Sequence, residues 1–470
     1  MAAEDLTQFT LAQLAHLIQR SEVSPVEVAQ AFIHRIDALE PRLNAFITRM
    51  DDLALESARV AEQEILRGGY RSPFHGIPVG LKDLFWTKGT RTTSGSMIDR
   101  DFVPTQDSTV TSLLKAAGAY CIGKLHMTEF AFDGTSLNLH YGPARNPWDL
   151  ARMAGGSSSG PGAAVASGQV PIAIGTDTGG SVRVPAALCG ITGLKPTFGL
   201  ISRYGVTPLS WSMDHVGPLA RTVEDAALAL NVLAGYDPKD TASVKRAPQD
   251  YTAELGRDIQ GIRIGVPREF IWEVMDREVE RAFHTAMSEM ESLGARVQEV
   301  SVPDLGLINM AGSVVQTSEA ATIHRSRVLS RGRDFDHAIR RRIESGLFIP
   351  ADAYLHAQQV RAKLRVELLE AMESFDVLAT PTTAIPAPAI EQERVTIQGQ
   401  DVPTREALLR ITRVFSTVGL PAISVPGGFT EGGLPVGVQF VGKPFSESLL
   451  LQVAHAYQEA TVWHLLRPGL

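Results

Sequence analysis

The spacing of apolar residues predicts helices over the first part of the chain. Apolar side chains recur every three or four positions across residues 28–39, which is the period of one helical face. Ser24 and Glu27 have the spacing of a capping box, so we expect this helix to begin just after Ser24. Pro41 is expected to end it. Another helix is predicted over residues 51–67, just before a pair of glycines.

The second half of the chain alternates between strand and helix patterns. Short apolar runs at 262–266 and 295–300 flank an amphipathic pattern at 277–293. This strand–helix–strand order is typical of neighbouring parallel strands in a buried sheet. No repeat or low-complexity linker divides the chain, so we expect a single domain over residues 1–470. Further strands are predicted at 375–379, 422–425 and 436–441.

Composition and charge narrow the class of protein. Of the 470 residues, 44% are hydrophobic and 20% are charged, which allows a large core and excludes wholesale disorder. The net charge of -8 disfavours direct binding to a nucleic-acid backbone. Cys121 and Cys189 are too few for a disulfide framework, which fits a reducing compartment. Without an apolar run of about 18 residues or the basic start of a secretory signal, we expect no membrane binding and a cytoplasmic location.

Several local motifs that suggest other chemistry lack a required residue. Residues 118–124 resemble a phosphate-binding loop, but Leu125 stands where a magnesium-binding hydroxyl is required. The twelve histidines include no pair at zinc-protease spacing, so neither a nucleotide cofactor nor a metal is expected. The basic run at 340–342 is interpreted as a solvated helix face, with recognition of a substrate or partner carboxylate as the alternative.

A different hypothesis places a nucleophile at Ser158. Gly156, Ser158 and Gly160 match the Gly-x-Ser-x-Gly elbow of α/β-hydrolases, which would make the chain an esterase of that type. The elbow requires a strand immediately before the serine, and residues 146–155 contain Pro147 and no apolar run. The local sequence therefore disfavours this hypothesis.

Three other segments contain a lysine and serines that together indicate a more specific chemistry. An apolar stretch ends at Lys82, a serine-glycine loop occupies residues 155–160, and an apolar strand that starts at 172 runs through two glycines to Ser181. A serine hydroxyl is a weak nucleophile at neutral pH and needs a partner that removes its proton. Lysine can do this only when it is neutral, which burial favours, and the apolar residues 77–81 would supply a buried environment.

Together these segments resemble the amidase signature family. The stretches 155–158, 175–181 and 189–197 follow the hallmark of that family at its spacing. The strong resemblance covers a signature core at about residues 74–220, and a looser one extends towards the end of the chain. It implies the family's α/β fold, with a large, twisted, mixed but mostly parallel central sheet and helices on both faces.

The resemblance also implies roles for individual residues. Ser181 would be the nucleophile, Ser157 a bridging serine on a cis peptide bond, and Lys82 the base. The reaction would proceed through an acyl-enzyme and would need no cofactor or metal. Backbone N–H groups of the turn before the nucleophile would form the oxyanion hole, namely those of Thr178, Gly179 and Gly180.

Three further residues are candidates for substrate binding. His126 could line the acyl pocket, although a packed histidine is the competing interpretation. Arg183 could pair with a substrate carboxylate, but an ion pair that holds the turn is the favoured interpretation. Ser158, beside the bridging serine, is the third candidate.

Within the family, we predict a stand-alone amidohydrolase that cleaves a small carboxylic amide to an acid and an amine or ammonia. The alternative is the glutaminase A subunit of a tRNA-dependent amidotransferase, which releases ammonia from glutamine for a partner subunit. Residues 202–205 favour that alternative, whereas residues 341–354 look more like generic amidases. Residues 408–415 also lack the acidic side chain expected to hold the amino group of glutamine.

A hypothesis from another class is a non-catalytic assembly subunit that keeps the fold. The presence of Lys82, Ser157 and Ser181 argues against it. We therefore expect a small-molecule amide as the substrate, without direct binding of nucleic acid or membrane. The resemblance suggests a homodimer.

Overall fold

A computed structural model describes residues 6–470, so the first five residues, on which the expected absence of a secretory signal partly rested, lie outside the described residues. The helices are α1 (Leu11–Gln19), α2 (Pro25–Leu43), α3 (Asp51–Leu66), α4 (Thr109–Ala116), α5 (Ser159–Ala166), α6 (Arg183–Cys189), α7 (Val223–Leu233), α8 (Arg277–Ser292), α9 (Leu305–Arg331), α10 (His337–Gly346), α11 (Ala351–Ala371), α12 (Thr404–Thr417) and α13 (Glu447–Ala460). The strands are β1 (Phe46–Arg49), β2 (Pro78–Lys82), β3 (Tyr120–Leu125), β4 (Arg145–Asn146), β5 (Asp149–Met153), β6 (Ile172–Asp177), β7 (Thr192–Lys195), β8 (His215–Ala220), β9 (Arg263–Pro267), β10 (Arg296–Val300), β11 (Val377–Pro381), β12 (Arg394–Ile397), β13 (Gln400–Pro403), β14 (Ala422–Phe429) and β15 (Pro435–Val441). Short 3₁₀ turns occur at Glu129–Ala131, Ile271–Glu273, Gly332–Asp334, Met372–Ser374 and Trp463–Leu465.

The central sheet is mixed, with the strand order β1-β3-β2-β6-β8-β7-β14-β15-β11-β9-β10. The α/β fold is confirmed, but the expectation of a mostly parallel sheet is wrong. Within residues 6–470, parallel neighbours occur in β3-β2-β6 and in β11-β9-β10, and the other neighbouring pairs are antiparallel. One cause is the short connection 430–434 between β14 and β15, because a tight turn joins only antiparallel neighbours.

Elements with local sequence signals lie close to where they are expected. Ser24 Oγ accepts a hydrogen bond from Glu27 N at 3.1 Å, and Glu27 Oε2 accepts one from Ser24 N at 2.8 Å, which completes the capping box of α2. The helix continues through Pro41 to Leu43, so the expected end is two residues early. A proline in a last helical turn removes a single backbone hydrogen bond, and the helix tolerates this loss.

Two groups of helices position the middle of the sheet. The short helices α5 and α6 are wholly buried, and α6 packs on β7, β14 and β15. The long helix α9 packs against α10, α11 and α12, and α12 is in turn buried from Ala407 to Thr417. No helix within residues 6–470 is long and apolar enough to cross a membrane.

Candidate active site

Lys82 is the last residue of β2 and is fully buried. Its Nζ atom donates hydrogen bonds to Ser157 Oγ at 2.7 Å and to Thr176 Oγ1 at 2.8 Å. Thr176 lies near the end of β6, which runs parallel to β2, so the two strands deliver their side chains to the same edge of the sheet. The structure thus brings together the predicted base and the predicted bridging serine.

Burial controls the protonation of Lys82. The loss of solvent lowers the pKa of its amine to about 7, although the nearby carboxylates of Asp177 and Asp214 act in the opposite direction. A large fraction of the amine is therefore neutral at neutral pH. The sequence predicted this from the apolar residues that precede Lys82.

The serine loop is held in place through its backbone. The peptide bond between Gly156 and Ser157 is cis. A Cβ atom on Gly156 would lie 1.8 Å from Thr135 O, so this position accepts only glycine. Gly156 N donates to Gly134 O at 2.8 Å, and Ser157 O accepts from Thr128 N at 3.3 Å. The segment around residues 128–135 thereby fixes the bridging serine.

The turn after β6 carries the predicted nucleophile, Ser181. Ser181 is 5% exposed, and its hydroxyl has no hydrogen-bond partner within residues 6–470. Its carbonyl accepts a hydrogen bond from Ser158 N at 3.2 Å, which links this turn to the serine loop. The two serines of the predicted triad therefore lie on segments that contact one another.

A buried ion pair anchors the same turn. Asp177 accepts hydrogen bonds from Gly180 N at 2.8 Å and Val182 N at 3.2 Å, and it pairs with Arg183 at 2.9 Å. Burial alone would raise the pKa of Asp177, but the Arg183 guanidinium holds that pKa well below its usual range. Thr178 is fixed separately, since its Oγ1 donates to Asp214 Oδ1 at 2.6 Å.

The ion pair changes the expected oxyanion hole. The Gly180 N–H is occupied by Asp177, so it is not free to receive a substrate oxygen. The N–H groups of Thr178, Gly179 and Ser181 have no hydrogen-bond partner among the described residues. Sequence reasoning missed both the Asp177 contact and the Ser181 N–H. The acidic residue inside the motif was the signal that could have indicated the first.

A cavity of about 390 Å³ adjoins these residues. Thr176 and Thr178 line it beside the lysine and the turn, and Asp214 lines it further along. This volume suits a small amide substrate. Three aromatic side chains also line it, namely Trp86, Tyr204 and Trp211.

The further candidates for substrate binding are engaged with the protein itself. His126 is buried and directs Nε2 at Gly142 O, 2.8 Å away, and burial lowers its pKa to about 4. His126 does not line the cavity. The Arg183 guanidinium donates hydrogen bonds to Asp177 and to neighbouring acceptors, as the ion-pair interpretation predicts. Ser158 Oγ donates to Thr176 O at 3.3 Å, and no strand leads directly into it as an elbow requires.

Comparison with known proteins connects this geometry to a family. A family model described as Amidase matches residues 27–451. The A subunit of glutamyl-tRNA(Gln) amidotransferase from Methylococcus capsulatus is 42% identical over 484 aligned positions, which cover 98% of each chain. One solved structure is 36% identical to this chain. It is described as an unexpected vestigial protein complex that reveals the evolutionary origins of an s-triazine catabolic enzyme. It has a TM-score of 0.93 and covers 98% of this chain and 100% of its own. The solved A subunit of the amidotransferase from Thermotoga maritima is 34% identical with a TM-score of 0.81, covering 97% of this chain and 95% of its own.

Proposed function

Since the chain belongs to the amidase family and is an amide-cleaving enzyme, we propose that it hydrolyses amides through a covalent intermediate on Ser181. The observation that carries this proposal is the 2.7 Å contact between the Lys82 amine and the Ser157 hydroxyl. The amine has a pKa of about 7, which suits a general base that operates near neutral pH.

In the proposed reaction, Ser181 Oγ attacks the amide carbonyl carbon, and its proton passes through the Ser157 hydroxyl to the neutral Lys82 amine. A hydroxyl both donates and accepts hydrogen bonds, so Ser157 can relay the proton in either direction. We expect a hydrogen bond between the two serine hydroxyls to form when substrate binds. The relay returns the proton to the leaving nitrogen, and water then hydrolyses the acyl-enzyme. The free N–H groups of Thr178, Gly179 and Ser181 would stabilise the oxyanion.

The sequence relatives favour glutamine as the substrate, which was the alternative hypothesis rather than the main one. The amidotransferase relative from Methylococcus capsulatus matches nearly the full length of both chains. Under this proposal the chain releases ammonia from the side-chain amide of glutamine and supplies it to partner subunits that hold a tRNA-linked substrate. The expectations of a homodimer and of no contact with nucleic acid would then need revision.

A stand-alone amidase is the second candidate, and one observation favours it. Residues 408–415 contain no aspartate or glutamate. Leu408 and Leu409 of α12 are buried, and Thr412 of the same helix contacts the nucleophile turn through Gly179 O. A buried ammonium group needs a carboxylate or several carbonyl groups as partners. A substrate without an amino group would not require them.

Ammonia release from a substrate panel tests the proposal. The full chain is incubated with glutamine and with simple aliphatic and aromatic amides, alone and together with the other subunits of the amidotransferase. Glutamine hydrolysis that appears or rises sharply with the partner subunits supports the glutaminase, whereas turnover of simple amides by the chain alone supports the stand-alone amidase. If no amide is hydrolysed under either condition, the proposed function is wrong.

The pH dependence of hydrolysis is expected to follow Lys82. A lysine accepts a proton only after it has lost its own, and the pKa of Lys82 is about 7. We therefore expect kcat/KM to rise about tenfold per pH unit on the acid side and to level off above neutral pH. The measurement is a pH–rate profile from pH 5 to 9, with circular dichroism at each pH as the control for unfolding. A profile that is flat across this range, with the fold intact, would contradict Lys82 as the base.

A further inference from the structure

Arg413 is a buried cation beside the nucleophile turn. It lies on α12 and is 1% exposed. A Cβ atom placed on Gly179 would lie 3.5 Å from Arg413 Cγ and 3.7 Å from its Nε. The preceding residue, Thr412, donates from Oγ1 to Gly179 O at 2.7 Å. Arg413 therefore packs directly against the turn that leads to Ser181.

One edge of the Arg413 guanidinium donates hydrogen bonds, and the other, which we call the empty edge, has no hydrogen-bond partner among the described residues. Nη1 donates to Asn309 Oδ1 at 2.7 Å and to Glu406 Oε2 at 3.3 Å. Nε and Nη2 are buried, and neither has a hydrogen-bond partner within residues 6–470. A buried donor without a partner costs free energy, and a charged one costs more. The empty edge therefore points to a group that the chain itself does not supply.

The same edge holds carboxylates elsewhere in this protein. Arg183 contacts Asp177 through Nε at 3.0 Å and Nη2 at 2.9 Å. Arg203 contacts Asp240 in the same way, at 3.0 and 2.9 Å. Two parallel N–H···O bonds from a guanidinium to a carboxylate combine strength with directional specificity. A carboxylate is thus the group that best matches the empty edge of Arg413.

The charges around Arg413 also favour an anion. Arg342, which the sequence placed on a solvated face, lies 2.8 Å from Asp133, and Arg405 lies 3.7 Å from the same carboxylate. Glu406 is a second acidic group in the cluster, and Arg410 interacts both with Glu406 and with Glu273, 3.5 Å away. Four guanidinium groups therefore face three carboxylates, so one positive charge is left uncompensated. A single carboxylate on the substrate would balance it.

We propose that Arg413 is a specificity-determining residue that binds a carboxylate of the substrate through its Nε–Nη2 edge. The substrate is then the amide of an acid that carries a second, negatively charged group on its acyl side. This inference rests on the proposed function, because the carboxylate is placed relative to a carbonyl attacked by Ser181. A neutral amide would bury the same edge without a partner and would react more slowly.

Pairs of amides that differ only in charge test this proposal. Malonamate, succinamate and glutaramate are each compared with the corresponding neutral diamide. We expect the wild-type chain to prefer at least one monoanion by about tenfold or more in kcat/KM, and Arg413→Lys to remove most of that preference through a higher KM. Lysine keeps the charge but has no bidentate edge. Competitive inhibition of the wild type by malonate, succinate or glutarate provides a second measurement that needs no variant.

Arg410→Lys is the matched control, because Arg410 lies one turn earlier on α12 and donates to Ile271 O and Val274 O, away from the nucleophile turn. It should leave the preference for the monoanion unchanged. The inference is overturned if the wild type prefers no monoanion, or if the preference survives Arg413→Lys. If no amide is hydrolysed, the proposed function fails, and calorimetric binding of the three dicarboxylates to wild type and to Arg413→Lys then decides this inference on its own.

Discussion

Replacing Ser181 by alanine is expected to lower kcat/KM for amide hydrolysis by a factor of about 10⁴ or more, because the proposed covalent intermediate could no longer form. The measurement is ammonia release with the best substrate of the panel. The hydroxyl of Ser181 has no hydrogen-bond partner among residues 6–470, so its removal should barely change the free energy of unfolding. A loss of activity in this variant would therefore be a loss of chemistry and not of folded protein.

Ser158→Ala is the matched control for that variant. Ser158 is also buried, and its hydroxyl donates one long hydrogen bond, 3.3 Å, to Thr176 O. We expect this variant to keep its activity within about tenfold of the wild type, since a single such bond contributes little. The opposite result, with Ser158→Ala inactive and Ser181→Ala active, would support the esterase elbow and refute the proposed nucleophile.

Replacing Lys82 by methionine is expected to lower kcat/KM by a factor of about 10³ or more, because the proton of the nucleophile then has no acceptor. Lys82→Arg should be equally inactive, since a guanidinium does not release its proton near neutral pH. Activity with a good substrate is measured for both variants over pH 6 to 9. Substantial hydrolysis by the methionine variant would show that another group acts as the base.

Stability measurements separate this loss of chemistry from unfolding. Burial lowers the pKa of Lys82 from the usual value near 10.5 to about 7, so between these pH values the unfolded chain binds more protons at this site than the folded one. The free energy of unfolding contributed by Lys82 therefore rises with pH over this window. Denaturant unfolding should show the wild type gaining stability relative to Lys82→Met between pH 7 and 9.

The sequence predicted those elements whose determining residues lie close together along the chain. The capping box at Ser24 and Glu27 and the strand–helix–strand unit of β9, α8 and β10 are cases of this kind. The contact between Lys82 and Ser157 joins residues 75 positions apart, and their spacing and resemblance to a family motif, not local physics, indicated it. The roles of these residues stay predictions until the variants are measured.

The antiparallel centre of the sheet could not be predicted in the same way. β14 lies between β7 and β15, so Ser424 pairs with Gly193, a residue far from it in sequence. Alternating or continuous apolar patterns identify a strand but do not identify its neighbour. For the same reason the sequence did not place Arg413 against Gly179 or pair the Gly180 N–H with Asp177.

The hydrogen bonds of Arg183 have a consequence for the synthesis of the protein. Its guanidinium donates to Ser416 Oγ and to Oε1 of Gln439, a residue of β15. Both residues follow Arg183 by more than 230 positions in the sequence, and contacts between residues so far apart are slow to form. During synthesis, the turn that carries Ser181 would therefore lack this support until both residues have been translated.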